Sequence, residues 1–137
     1  MLGQRQPEVY GYQTLADVEK LCRDHANTKN VGLDFRQSNH EGELVTWIQD
    51  AKNQFSGIII NAGAYTHSSI AILDALLIFA KPIIEVHLSH IHKREIFRHH
   101  SYVAQAATGM ICGLGTEGYI LAIDALCKIF QGKGDDR

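Results

Sequence analysis

Gly57-Ile58-Ile59-Ile60-Asn61 and Ile83-Ile84-Glu85-Val86-His87 are the two stretches that decide how this chain folds. Each is a short β-branched run that closes on a polar residue. An apolar run of that length suits a strand covered on both faces, as inside a parallel sheet. Between them, Ile70, Leu73, Leu77 and Ala80 recur at helical spacing, and this reading turns those four toward the core. Lys81-Pro82 stops the helix, because proline has no N–H to donate and disfavours helix in the residue before it.

The same grammar extends in both directions. Thr14 is placed to cap a helix, with Asp17 reaching back at the third helical position. Leu15, Val18, Cys22 and His25 then share one helical face. Val31 to Phe35 reads as a short strand. Ser38-Asn39-His40-Glu41 resembles a second capping box, and Leu44, Ile48, Ala51 and Phe55 follow at helical spacing. On the carboxyl side, Thr108 to Cys112 reads as the last strand, Gly113-Leu114-Gly115 as a tight turn, and Glu117 to Phe130 as the last helix. Residues 1–12 read as a loop and residues 132–137 as a frayed tail. Four strand–helix alternations without a repeat or a linker predict one α/β domain over residues 1–137, doubly wound about a parallel sheet. Ligands of such sheets bind beyond the carboxyl ends of the strands. Asn61, His87 and the turn at 113–115 all fall on that rim.

Composition narrows the function classes. A chain of 137 residues with 45% hydrophobic and 20% charged residues has enough apolar surface for one core. A formal net charge of −2 supplies no general attraction to nucleic acid or to a membrane. The longest apolar runs are far short of a membrane span, and the amino terminus carries no signal-peptide pattern. Cys22, Cys112 and Cys127 form no Cys-x-x-Cys pair and read as buried, reduced thiols.

The histidines are less ordinary. Of eight in the chain, His87, His90, His92, His99 and His100 fall close together. A zinc reading of this cluster lacks a helical His-x-x-x-His or paired cysteines, so no metal is expected. Glu85 lies two residues before His87 and therefore points to the same side of the strand. A carboxylate there orients the imidazole and favours its protonated form. That pairing favours a chemical role for His87 over a hydrogen-bonded core histidine. The Gly113-Leu114-Gly115 turn reads as a tight connection. A nucleotide- or phosphate-binding role ranks low, because no glycine-rich loop follows a first strand.

Five segments carry a resemblance. They are Arg36-Gln37-Ser38-Asn39-His40-Glu41-Gly42, Asn61-Ala62-Gly63-Ala64-Tyr65-Thr66-His67, Ile84-Glu85-Val86-His87-Leu88-Ser89, Phe97-Arg98-His99-His100-Ser101-Tyr102 and Gly109-Met110-Ile111-Cys112-Gly113-Leu114-Gly115. In their order and spacing they resemble the type II 3-dehydroquinate dehydratases, from Leu2 to about Leu126. The resemblance implies a flavodoxin-like fold and a cytoplasmic homo-oligomer, a dodecamer built from trimers. It implies conversion of 3-dehydroquinate to 3-dehydroshikimate without metal or organic cofactor, in the shikimate pathway or in quinate breakdown.

The resemblance also implies roles. Residues 1–12 match the catalytic lid loop, in which Tyr10 matches the base. A free phenol has a pKa near ~10, which a neighbouring cation lowers, and Arg5 matches that cation. His87 matches the general acid, with Glu85 in support. Asn61 matches a substrate-binding amide, and His67 and Arg98 match residues that hold the ring hydroxyls. The backbone N–H groups of Leu88 and Ser89, with the Ser89 hydroxyl, match the carboxylate site. Asp74 matches a residue that reaches into a neighbouring subunit's active site. His90 stands where the family commonly has asparagine.

Family members also carry an apolar strand and an Asn-Gly-Pro-Asn turn before the position of Leu2, and neither is in this sequence. The expectation is a shortened chain, less stable and less active than one with the strand restored. The alternative is a catalytically impaired oligomeric relative.

Overall fold

The computed structural model describes residues 13–89 and 100–135, with side chains through residue 132. In chain order these form α1 (Leu15–Thr28), α2 (Glu41–Ala51), β1 (Ile58–Ile60), α3 (Ile70–Phe79), β2 (Ile83–His87), β3 (Gly109–Cys112) and α4 (Glu117–Asp135). Short 3-10 turns at Gly63–His67 and Val103–Gln105 join them. The three strands are parallel in the order β1-β2-β3, with Ile60 opposite Glu85 and His87 opposite Cys112.

The pleat divides the core in two. Ile60 and Ile83 turn to α2 and α3, where they meet Ile48, Ile72, Leu76 and Phe79. Ile84, Val86 and Leu88 turn the other way, onto Ala122 and Leu126 of α4. α1 lies against α4 through Val18, Cys22 and Ile123. Helices thus cover both faces, and every residue of β2 is buried. This is the α/β arrangement with a parallel sheet that the isoleucine runs predict.

Local chemistry explains the helix boundaries. Thr14 and Asp17 form the expected capping box at the start of α1. The second expected box is absent. His40 takes the cap position of α2 without a side-chain bond. Ser38 instead donates to Glu43, and Glu41 accepts from the Ser69 hydroxyl at 2.5 Å. Ser69 also caps α3 by accepting the N–H of Ile72, so one buried serine both starts a helix and ties it to its neighbour.

Three further expectations are corrected. Val31 to Phe35 joins no ladder, so the described sheet has three strands, not four. Leu33 and Phe35 still pack beside α1 and α4. The inward face of α3 is Ile72, Leu73, Ala75, Leu76 and Phe79, whereas Ile70 and Leu77 are exposed, and so is Ala80 at the cap. The helix is apolar nearly all round, and spacing alone does not choose its buried side. Finally, α4 does not end at Phe130 but runs to Asp135, into the expected tail.

Gly118, in the first turn of α4, sets how closely that helix approaches the sheet. A Cβ there would lie 3.2 Å from Val86 Cγ1 and 3.5 Å from Ile111 Cγ2.

Candidate active site

At the carboxyl end of β2 the chain places an acid and a base in contact. His87 Nε2 lies 2.5 Å from Glu85 Oε2, with side chains 6% and 1% exposed. Both follow from strand geometry, since positions 83, 85 and 87 share one face of the sheet. A charged or polar pair at that depth persists only when its members satisfy one another.

The other rim residues lie at the same ends of the strands. His67, at the end of the 3-10 turn, stacks over His87 with ring centroids 6.4 Å apart and planes 16° apart. Its Nδ1 donates to the His100 carbonyl at 2.7 Å. Asn61 follows β1 and is held at both ends of its amide. Nδ2 donates to the Tyr119 hydroxyl at 2.9 Å, and Oδ1 accepts the Gly63 N–H at 3.1 Å. Leu88 continues β2 with its side chain buried against α4, and Ser89 is half-buried beside it.

Not every expected residue joins them. Asp74 stands on the exposed side of α3, the side that carries the exposed Ile70, Leu77 and Ile78. Tyr10, Arg5 and Arg98 lie outside the described residues, as do His90, His92 and His99. Among the described residues no group of three histidines, cysteines or acids is arranged to hold a metal ion. A shallow depression lined by Gln13, Asp17, Lys20, Leu21 and Asp24 lies along α1, on no residue expected in the site.

The turn after β3 has a structural task. Gly113 and Gly115 have φ of +86° and +60°, which glycine adopts without a Cβ clash. Their N–H groups donate to the carbonyls of His87 at 3.1 Å and Leu88 at 2.9 Å. With Gly118 the segment has the full Gly-x-Gly-x-x-Gly spacing between a strand and a helix, which a reading of the first two glycines alone overlooks. These N–H groups are committed to the end of β2, so the turn anchors the His87 backbone.

Two residues were missed by the sequence reading. Tyr119 holds Asn61, and Ser101, 8% exposed, donates its hydroxyl to Glu85 Oε2 at 2.7 Å. The signal for Ser101 was slight: a hydroxyl three residues before Ala104, whose N–H it accepts at 3.0 Å.

Fold and site together define an α/β protein with a buried histidine–carboxylate pair at the end of its central strand. The sequence profile of the class II dehydroquinases matches residues 1–127, and the chain belongs to that family. It is 58% identical to 3-dehydroquinate dehydratase 2 of Agrobacterium fabrum over 96% of this chain and 89% of that one. It is 53% identical to the 3-dehydroquinate dehydratase of Streptomyces coelicolor over the whole chain and 87% of that one. The crystal structure of type II dehydroquinase from Propionibacterium acnes superimposes with a TM-score of 0.89 at 39% identity, over 93% of this chain and 88% of that one. That likeness agrees with a flavodoxin-like fold. Among the described residues no helix is long and apolar enough to cross a membrane.

Proposed function

We propose that this chain removes water from 3-dehydroquinate, with Tyr10 as base and His87 as acid. The observation that carries the reading is the buried contact between His87 and Glu85 at the mouth of β2. Family membership supports the substrate and the reaction class.

The steps balance without any other reagent. Tyr10, as a phenolate held by Arg5, takes a proton alpha to the ketone, and the electron pair moves onto the carbonyl oxygen as an enolate. The enolate re-forms the ketone and expels the β-hydroxyl as its C–O bond breaks. His87 Nδ1 gives that hydroxyl a proton, and water leaves a conjugated enone. A carboxylate on Nε2 keeps the ring oriented for that transfer.

Asn61 is assigned to substrate binding through its amide, His67 and Arg98 to the substrate's ring hydroxyls, and the Leu88 and Ser89 N–H groups to its carboxylate. Asp74 is assigned to a neighbouring subunit's site. Its place among exposed Ile70, Leu77 and Ile78 supports a homo-oligomer, proposed as a dodecamer of trimers. The proposed setting is the cytoplasm, in aromatic biosynthesis or quinate breakdown.

Growth of enone absorbance from 3-dehydroquinate tests the reading. Folded protein that leaves the substrate unchanged overturns it.

A further inference from the structure

The chain that returns to the site after His100 is held at both sides of Ser101. The Tyr102 N–H donates to the Thr66 carbonyl at 2.9 Å, and the His100 carbonyl accepts from His67. Val103 packs into the core below. Ser101 Oγ therefore has a fixed place. It accepts the Ala104 N–H at 3.0 Å and donates to Glu85 Oε2 at 2.7 Å. That same Oε2 meets His87 Nε2, while Glu85 Oε1 is buried without a hydrogen-bond partner among the described residues.

We propose that Ser101 is a positioning residue that decides which way the proton lies between Glu85 and His87. This rests on reading His87 as the general acid. Among the described residues, the carboxyl group meets its hydrogen-bond partners through Oε2. The Ala104 N–H occupies a lone pair of Ser101 Oγ, and the serine proton has Oε2 as its acceptor. A carboxyl oxygen that carries its own proton is a poor acceptor. Ser101 thereby favours a bare, negative Oε2 and a proton on His87 Nε2. Nδ1 is then left as the nitrogen that delivers a proton to the substrate. Without the serine hydroxyl, a buried carboxylate keeps a single donor, and the proton moves from Nε2 to the carboxyl group. The ring then offers its proton from the wrong state. Among the described residues, the other titratable group facing the pair is His67, whose Nδ1 proton is committed to the His100 carbonyl.

The test uses the full chain, Ser101→Ala and Ser101→Thr. Nitrogen-15 NMR of the imidazoles reports the proton on His87, assigned by its loss in His87→Gln. Steady-state kinetics supplies kcat, KM and their pH profiles. In the unaltered chain Nε2 should be protonated. Ser101→Ala should shift that signature and lower kcat by about 10- to 100-fold, with KM changed less than about twofold. The pH profile of kcat should change shape in Ser101→Ala and keep its shape in Ser101→Thr. Ser101→Thr keeps a hydroxyl and should restore both readouts. A folded Ser101→Ala with Nε2 still protonated and kcat unchanged overturns the proposal. If the alanine variant does not fold, a folded Ser101→Thr decides: a protonated Nε2 supports the proposal and a shifted one overturns it. An unaltered chain that fails to turn over 3-dehydroquinate sinks the activity reading, and the imidazole spectra still judge Ser101.

Discussion

Among the described residues, two histidine–carboxylate pairs sit at nearly equal distances and in opposite surroundings. His25 Nε2 of α1 meets Asp124 of α4 at 2.6 Å, with side chains 24% and 41% exposed. His87 meets Glu85 at 2.5 Å with almost no exposure. The first pair also touches Lys29 and the solvent. The second touches Ser101 and carries an orphaned oxygen. Equal geometry therefore does not mean equal consequence. Water screens the outer pair and replaces either partner at small cost, whereas the inner pair, among the described residues, relies on its own contact and the Ser101 hydroxyl.

The largest expected effect comes from cutting each histidine. His87→Ala should lower turnover of 3-dehydroquinate by about 100-fold or more, the usual worth of a positioned acid, with the folded circular dichroism spectrum kept. His25→Ala should leave turnover within about twofold, since an exposed pair elsewhere on the surface supplies no transition-state contact. Equal losses in the two variants would break the contrast.

Next comes stability. Glu85→Ala leaves His87 and Ser101 without their partner and should cost about 3–5 kcal/mol in urea unfolding, the range for breaking a buried pair. A double-mutant cycle on His25 and Asp124 should return less than about 1 kcal/mol. The His25 hydrogen bond, followed by charge, holds the Asp124 carboxyl below its usual value of 3.8. A carboxyl depressed on folding adds stability above its unfolded value and loses it as pH falls through the folded one. The Asp124 contribution should therefore fade as pH falls below about 4. Urea midpoints of Asp124→Asn and the unaltered chain should converge there.

The smallest effect sharpens the boundary of the outer pair. Cys22, one turn from His25, has its thiol pushed up to about 11 by burial and then by the Glu19 charge. Iodoacetamide at pH 8 should label Cys22 only on unfolding, because the thiolate is the nucleophile. Rapid labelling of Cys22 itself in the folded chain, read by peptide mass apart from the half-buried Cys112 and Cys127, would mean that water reaches beneath the pair.

The inner pair was legible in the sequence and the outer one was not, for a physical reason. Glu85 and His87 share a strand, and period two alone puts them on one side. His25 and Asp124 meet only because α1 and α4 pack, a fact of tertiary structure. The same divide runs through the fold. The isoleucine runs foretold β1 and β2, and Thr14 with Asp17 foretold the start of α1, because those signals are local. Val31 to Phe35 misled because strand propensity does not guarantee a partner to pair with. α3 misled because Ile70 through Phe79 is apolar on nearly every side. In the site, Asn61 and His67 were visible through their family segments. The Tyr119 hold on Asn61 and the Ser101 hold on Glu85 were not, since each crosses from one element to another.

Gly118 turns that crossing into a lever. The helix bearing Tyr119 rests so close to Val86 that a methyl group between them would press that side chain back by a few tenths of an ångström. A wedge there pries at the root of the next side chain, whose hydroxyl is the latch on Asn61. A substitution at a residue that touches no substrate would thus be felt at the strand end as a loosened amide, a few tenths of an ångström of slack transmitted through one turn of helix.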